Sequence, residues 1–384
     1  MAKKLSPEEQ VYEELRKTLN ESFLNAPRTP SLMKILKFFY PTVEDAEVGR
    51  YVECPMVGGK AKTAAEIAGE CGKDEAKVAE ILNRLYRRAG AIDRKEREPG
   101  VFEYSHGGPL AMTDGLGSLG KDDTIDPSGI MFRQVSNTYH EEGFLMEMGA
   151  SKYPTFRTLV VNQPIDAEAK VLPYELASEI LKSHDKIGLG YCNCRVRQRK
   201  CHHRLETCFL LTEKSMKRSQ VVAGARPLRY ITHEEALKIL EEGFKEGLVA
   251  TTLNQSDPKQ ASFICMCCTC CCHILGGYAV NITGWGNPYQ MMKSNFQPKR
   301  DEAKCTRCHI CVDLCPVKAL WRHWPHEPDL SDDYIFLEEE RCVGCGICAF
   351  NCPNHALTMV KVRDFTPEPD VTSMIHRSRR EARH

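Results

Sequence analysis

The sequence predicts a multidomain α+β protein. Its 384 residues give room for two or three independent cores. Its 20 cysteines fall into two tight groups, eight between 305 and 352 and ten between 192 and 272, with only Cys54 and Cys71 elsewhere. The texture of the chain changes around those groups. A helical, charged stretch covers 1–125, a cysteine-rich α+β stretch 126–295, a shorter cysteine-rich segment 296–364, and a polar tail 365–384.

The cysteines decide the class. The N-terminus, MAKKLSPEEQVYEELRKTL, has no apolar core of the kind an export signal needs, and no run of about 18 apolar residues could span a bilayer. The expectation is a cytoplasmic protein with no membrane insertion. Thiols there stay reduced, and clustered cysteines in a reducing compartment point to metal rather than to disulfides. Lys plus Arg and Asp plus Glu are both 52, so the formal charge is zero. That balance counts against a protein that coats nucleic acid, so DNA is not expected as a partner.

The N-terminal stretch has legible helices. Ser6, Pro7 and Glu9 form a capping box with Pro at the first helical position, followed by an apolar stripe of Val11, Leu15 and Leu19. Thr63 and Glu66 cap a second helix that Gly72 ends. Asp74 caps a third, where Val78, Ile81, Leu82 and Leu85 fall on one face. Candidate strands at Ala91–Arg94 and Val101–Tyr104 flank the turn residues Pro99 and Gly100. Helix, turn, helix and hairpin in this order resemble a winged helix. The third helix mixes Lys77, Arg84, Arg87 and Arg88 with Glu75 and Glu80, which reads as a docking domain sooner than a DNA reader.

The C-terminal group is an internal repeat. Cys305, Cys308, Cys311 and Cys315 followed by Pro316 give C-x2-C-x2-C-x3-C-P. Cys342, Cys345, Cys348 and Cys352 followed by Pro353 give it again, and the two end alike in CPVKAL and CPNHAL. This segment resembles the two-cluster bacterial ferredoxins. The resemblance implies two 4Fe–4S clusters, with the fourth cysteine of each repeat crossing to the other cluster. One set would then be Cys305, Cys308, Cys311 and Cys352, and the other Cys342, Cys345, Cys348 and Cys315. Zinc is a poor match to two complete four-cysteine repeats. Trp321 and Trp324, in the stretch between the repeats, could shield a cluster or fill a core.

The central group is denser. Cys192, Cys194, Cys201 and Cys208 precede a six-in-eight run of Cys265, Cys267, Cys268, Cys270, Cys271 and Cys272. Thiolates so close repel one another and oxidise readily unless metal neutralises them. Between them a helix capped by Thr232 and Glu235, with Leu237, Leu240 and Phe244 on its buried face and Gly247 near its end, would fold the two groups together. Arg195, Arg197, Arg199 and Lys200 could offset cluster charge, and His202, His203 and His273 are further candidate ligands. The pairing of YCNCR with ICMCCTCCC is similar to a family of iron–sulfur proteins from anaerobes, which implies redox biochemistry and one or more further iron–sulfur clusters at the ten cysteines.

The sequence therefore predicts an iron–sulfur electron-transfer protein, or a subunit of a redox complex, with a redox protein as partner. Two other readings stay open. The chain could itself be an oxidoreductase with a catalytic central cluster, although no nucleotide or flavin fingerprint defines a pocket. It could also be a redox-sensing regulator whose winged helix reads DNA.

Overall fold

The computed structural model describes residues 5–21, 27–55, 58–87, 92–106, 134–144, 149–213, 215–216, 228–284, 289–323 and 334–382. The Gly-rich run after His106, Arg88, Ala91 and Trp324 lie outside them.

The N-terminal part begins with three helices, α1 (Pro7–Glu21), α2 (Pro30–Phe39) and α3 (Val43–Gly49). The α1 capping box forms as its residues dictate: Ser6 N donates to Glu9 at 2.8 Å and Glu9 N to the Ser6 hydroxyl at 3.2 Å. The buried stripe is Tyr12, Leu15 and Leu19, with Val11 only partly covered. Helices α2 and α3, which the apolar pattern does not announce, are set by Thr29 and by a Thr42–Asp45 capping box. A short strand β1 (Lys62–Thr63) then leads into α4 (Ala64–Cys71), capped by Thr63 and ended by left-handed Gly72. Helix α5 (Glu75–Arg87) buries Val78, Ile81, Leu82 and Leu85. Strands β2 (Asp93–Glu98) and β3 (Val101–Ser105) form a hairpin whose second strand also pairs with β1, giving the order β1-β3-β2.

The central part is a six-stranded antiparallel sheet. Its strands are β4 (Phe156–Thr158), β5 (Ile187–Tyr191), β6 (Glu206–Leu210), β7 (Arg229–Ile231), β8 (Val249–Leu253) and β9 (Phe263–Cys267), in the order β4-β8-β9-β6-β5-β7. Helices α6 (Ala177–Lys182), α7 (Asn193–Gln198), α8 (His233–Lys245) and α9 (His273–Gly284) are threaded between them. Thr232 caps α8 by accepting from Glu235 N at 3.1 Å. That helix covers one face of the sheet, and Gly243 meets Met266 of β9. Because strand side chains alternate, Met266 toward α8 puts Cys265 and Cys267 on the opposite face. Cys208 of β6 stands directly across from Cys265 and shares that face.

The C-terminal part pairs β10 (Phe296–Arg300) with β13 (Leu357–Lys361), and β11 (Leu320–His323) with β12 (Tyr334–Leu337). Two single-turn helices, α10 (Ile310–Asp313) and α11 (Ile347–Phe350), lie inside these ladders. This unit sits against the central sheet. Val161 N donates to Cys345 O at 3.0 Å, and the Asn351 side chain donates to Phe244 O at the end of α8 at 2.9 Å.

The tail corrects the sequence reading. Residues expected to lie loosely on the surface form helix α12 (Val371–Arg380), capped by Asp370 and burying Met374, Ile375 and Ser378. Arg377 stacks over Tyr153 at 4.3 Å and pairs with Glu368 at 3.0 Å. The pattern hides the helix because its buried stripe has only two apolar members, adjacent in sequence, completed by a serine. Replacing Ile375 with Ala should cost about 2–5 kcal/mol, read as a fall in the urea midpoint for unfolding of the central and C-terminal parts; an unchanged midpoint would mean the helix does not hold them.

Candidate metal centres

The C-terminal repeats form two four-thiol cavities. Cys305, Cys308, Cys311 and Cys352 line one, together with Thr306, Pro353 and Asn354. Cys315, Cys342, Cys345 and Cys348 line the other, together with Pro316, Val343 and Gly346. The chain crosses because each repeat's last cysteine leaves its own loop through a proline. After each crossing the backbone turns back onto the sulfur in the same way: Ala319 N donates to Cys315 Sγ at 3.1 Å and Ala356 N to Cys352 Sγ at 3.3 Å. Left-handed residues repeat with the motif as well. Arg307, His309 and Lys318 in the first copy match Gly344, Gly346 and His355 in the second.

The two cavities differ in exposure, and the difference explains the glycines. Cys308 is exposed and Cys305 and Cys352 are half-buried, whereas all four cysteines of the other set are buried. The first loop is open enough for side chains at its left-handed positions. The second is pressed against neighbouring chain: a Cβ on Gly344 would lie 2.2 Å from Phe296 O of β10, and one on Gly346 would lie 2.4 Å from Cγ2 of Val161, just beyond β4. Only glycine serves there, on both steric and torsional grounds. Burial pushes Cys311 and Cys342 up to about 11, and holds Cys345 and Cys348 higher still. Buried thiols that resist ionising become good ligands only when a cationic iron core compensates the charge. The donor set thus fits the cluster type that the spacing implies.

Trp321 serves neither suggested role. It is 46% exposed on β11, and its indole N–H donates to Glu338 at 3.1 Å.

The ten central cysteines converge on the face of the sheet away from α8. The sulfurs of Cys201, Cys268, Cys270 and Cys271 all lie within 4.8 Å of one another, with Cys201 3.6 Å from Cys271 and 3.9 Å from Cys268. The other six are close enough to perturb one another: Cys194 pushes the Cys192 thiol up, Cys208 pushes the Cys265 thiol up, and Cys208 stands directly across from Cys265 in the sheet. Thr251 of β8 adds a hydroxyl 3.1 Å from Cys267 Sγ.

Arginines are buried beside these thiols, and Arg195 is the deepest of them among the described residues. Arg195 is 2% exposed. Its guanidinium donates to Arg204 O at 2.8 Å, to the Thr207 hydroxyl at 2.6 Å and to Met266 O at 2.5 Å. Burial opposes its charge, but Cys192, Cys268 and Cys267 around it more than restore it. In return, a hydrogen bond from Cys271, aided by Arg195, draws Cys268 down to about 4. Hydrogen bonds from Cys265 and Cys272 draw Cys267 down to about 6.

The other candidates sit apart from the sulfurs. His202 is exposed, and His203 pairs with Glu246 at 3.1 Å. His273 is buried against Arg197 and against the ring of His140, 3.8 Å between centroids. Burial drives both imidazoles toward the neutral form, His140 down to about 3. His140 was not singled out in the sequence, where a histidine on a short helix 50 residues from the nearest motif carries no signal.

The 4Fe–4S binding domain family matches residues 298–321 and 335–358. No curated protein and no solved structure matches the chain. The two matched motifs and the two four-thiol cavities define an iron–sulfur protein that carries two 4Fe–4S clusters in its C-terminal part. Among the described residues, no helix is long and apolar enough to cross a membrane.

Gly344→Ala should lower the iron content of the anaerobically purified chain by about four atoms, one cluster's worth, leaving the exposed cavity loaded. Iron and sulfide counting checks this, and full retention would show that the second loop tolerates a Cβ.

Proposed function

We propose that the chain is an electron-transfer protein in which the exposed four-cysteine set receives electrons from a redox partner and the buried set relays them toward the central thiols. Each cluster would supply a one-electron couple. The observation that carries the reading is the position of α9. It begins one residue after Cys272, and Tyr278 on it donates to Arg341 O at 3.1 Å and to Glu340 O at 3.3 Å, beside Cys342. Six helical residues span about 9 Å, so one rigid turn and a half joins the central thiols to the buried cavity. The ligand sets we assign are those lining each cavity, Cys305, Cys308, Cys311 and Cys352 outside and Cys315, Cys342, Cys345 and Cys348 inside. Cys201, Cys268, Cys270 and Cys271 form the nearest thing to a complete central metal site.

We read the chain as four segments, with boundaries near 125, 295 and 364. The first has the strand and helix order of a winged helix, and its ion pairs favour docking to protein. Lys77 pairs with Glu44 at 2.6 Å, Lys73 with Glu47 at 2.9 Å and Arg84 with Asp45 at 2.5 Å. The cations that would have to meet phosphates are already matched by acids of α3. Salt-sensitive, sequence-selective DNA binding in a mobility-shift titration would overturn this; none is expected.

The electron route has its own test. In a Cys308→Ser, Cys311→Ser variant that keeps its other iron, anaerobic reduction by a protein donor should no longer reach the central iron, while a small viologen still reduces it. Unchanged reduction by the protein donor would mean that electrons enter elsewhere.

A further inference from the structure

We infer that Cys201, Cys268, Cys270 and Cys271 hold a single tetrahedral metal ion, zinc or a lone iron, with no bridging sulfide. This deepens the preceding reading and takes from it only that this thiol set binds metal.

The first ground is spacing. Cys201 Sγ lies 3.6 Å from Cys271 Sγ and 3.9 Å from Cys268 Sγ, and every pair of the four lies within 4.8 Å. An ion bound at about 2.3 Å by four sulfurs at tetrahedral corners sets those sulfurs about 3.8 Å apart. A cubane spreads its thiolates over four separate irons, so its terminal sulfurs stand apart by the width of the core as well. The C-terminal repeats supply the comparison within the same chain. Their eight cysteines wrap two cavities. Among the described residues, the central four are the only group of three or more His, Cys, Asp or Glu donors whose ligand atoms all lie within 4.8 Å. The chain thus holds thiols at two spacings, the wide one in the cluster motifs and the narrow one here.

The second ground is how the donors are delivered. Three of them come from one tight turn, 268–271, between β9 and α9. Cys272 N donates to Cys268 O at 3.0 Å and closes that turn. Gly276 of α9 lets it lie close to the helix, since a Cβ there would be 2.5 Å from Thr269 O. The fourth donor, Cys201, comes from the segment between α7 and β6. Left-handed Arg199 ends α7 just before it, with its N–H on Arg195 O at 2.9 Å, and Arg204 O just after it accepts from the Arg195 guanidinium at 2.8 Å. Both segments are therefore fixed by bonds that need no metal. In each cluster motif the first three thiols are spread over a longer loop, 305–311 or 342–348.

The third ground is completeness. Four thiols give up their protons to one divalent ion, and the ion has no open position left for a substrate. Cys268 and Cys271 are buried, Cys201 is half-buried and Cys270 is exposed. Such a site is a clasp. It ties the segment after α7 to the turn that launches α9, the helix that runs to the buried cavity. Where the ion is zinc, the central iron of the electron route belongs to the other six cysteines.

Metal and acid-labile sulfide are counted in the intact, anaerobically purified chain and in a Cys201→Ser, Cys270→Ser variant. The variant should lose about one metal ion per chain and no sulfide. Loss of about four irons with as many sulfides would overturn the single ion in favour of a cubane, and loss of no metal would overturn the site. The intact chain gives a check that does not depend on the variant folding. With zinc in the site, X-ray absorption at the zinc edge should show four sulfurs at about 2.3 Å and no metal neighbour. With iron in it, Mössbauer spectroscopy should show one iron apart from those of the clusters. Iron confined to cluster signals in a chain without zinc would overturn the inference. The electron-transfer reading fails by a different sign, C-terminal clusters that accept no electrons from a protein donor, and that result leaves these counts unchanged.

Discussion

The centre of the molecule is organised by the buried charge of Arg195. Ten thiols on one face of a sheet form an unstable arrangement without a compensating charge, since any that ionise repel the rest. The guanidinium meets this from within. It is held by two carbonyls and a hydroxyl, and each of these comes from a segment that also carries cysteines: Arg204 and Thr207 lie between Cys201 and Cys208, and Met266 lies between Cys265 and Cys267. One cation thus ties the two cysteine segments to each other before any metal arrives. Lysine could not do the same, because its ammonium lacks the planar fork that reaches three acceptors in different directions.

This arrangement explains why the sheet is antiparallel and why α8 covers only one face. The strands that carry cysteine, β6 and β9, must be neighbours for Cys208 and Cys265 to face each other, and the intervening helix must lie on the far side. Met266 is the hinge of this division. Its side chain packs under Gly243 of α8 while its carbonyl accepts from Arg195. The apolar core and the thiol face are thus built from alternate residues of one strand.

Much of this was legible in the sequence, and the gaps have physical causes. The helix caps at Ser6, Thr63, Asp74 and Thr232 form as their residues dictate, because a capping interaction is local and needs nothing from the rest of the fold. The grouping of ten central cysteines was legible as a density, but their division was not. Which thiol faces which depends on strand register and on the turn from 268 to 271, both tertiary. The tail helix was missed because its stripe relies on Ser378, and the histidine pair because His140 reaches His273 only through the fold.

The repeated motif shows how one sequence pattern can serve two environments. Both copies need left-handed backbone at equivalent positions so that the loop closes around four sulfurs. In the exposed copy, Arg307 and His309 bear that conformation at the ordinary cost of a side chain in the left-handed region, a strain of about 1–3 kcal/mol each. In the buried copy the same positions are Gly344 and Gly346, because Phe296 of β10 and Val161 beyond β4 occupy the space a Cβ would need. The difference between the copies therefore encodes which one docks. A module with glycine at both positions in both copies would lose that asymmetry in its sequence, yet the requirement for close approach would still fall on one side only. The inner cavity is buried because its loop is the one that can lie flat on Val161 and Phe296, and its burial is what puts it, through α9, next to the thiols of the central sheet.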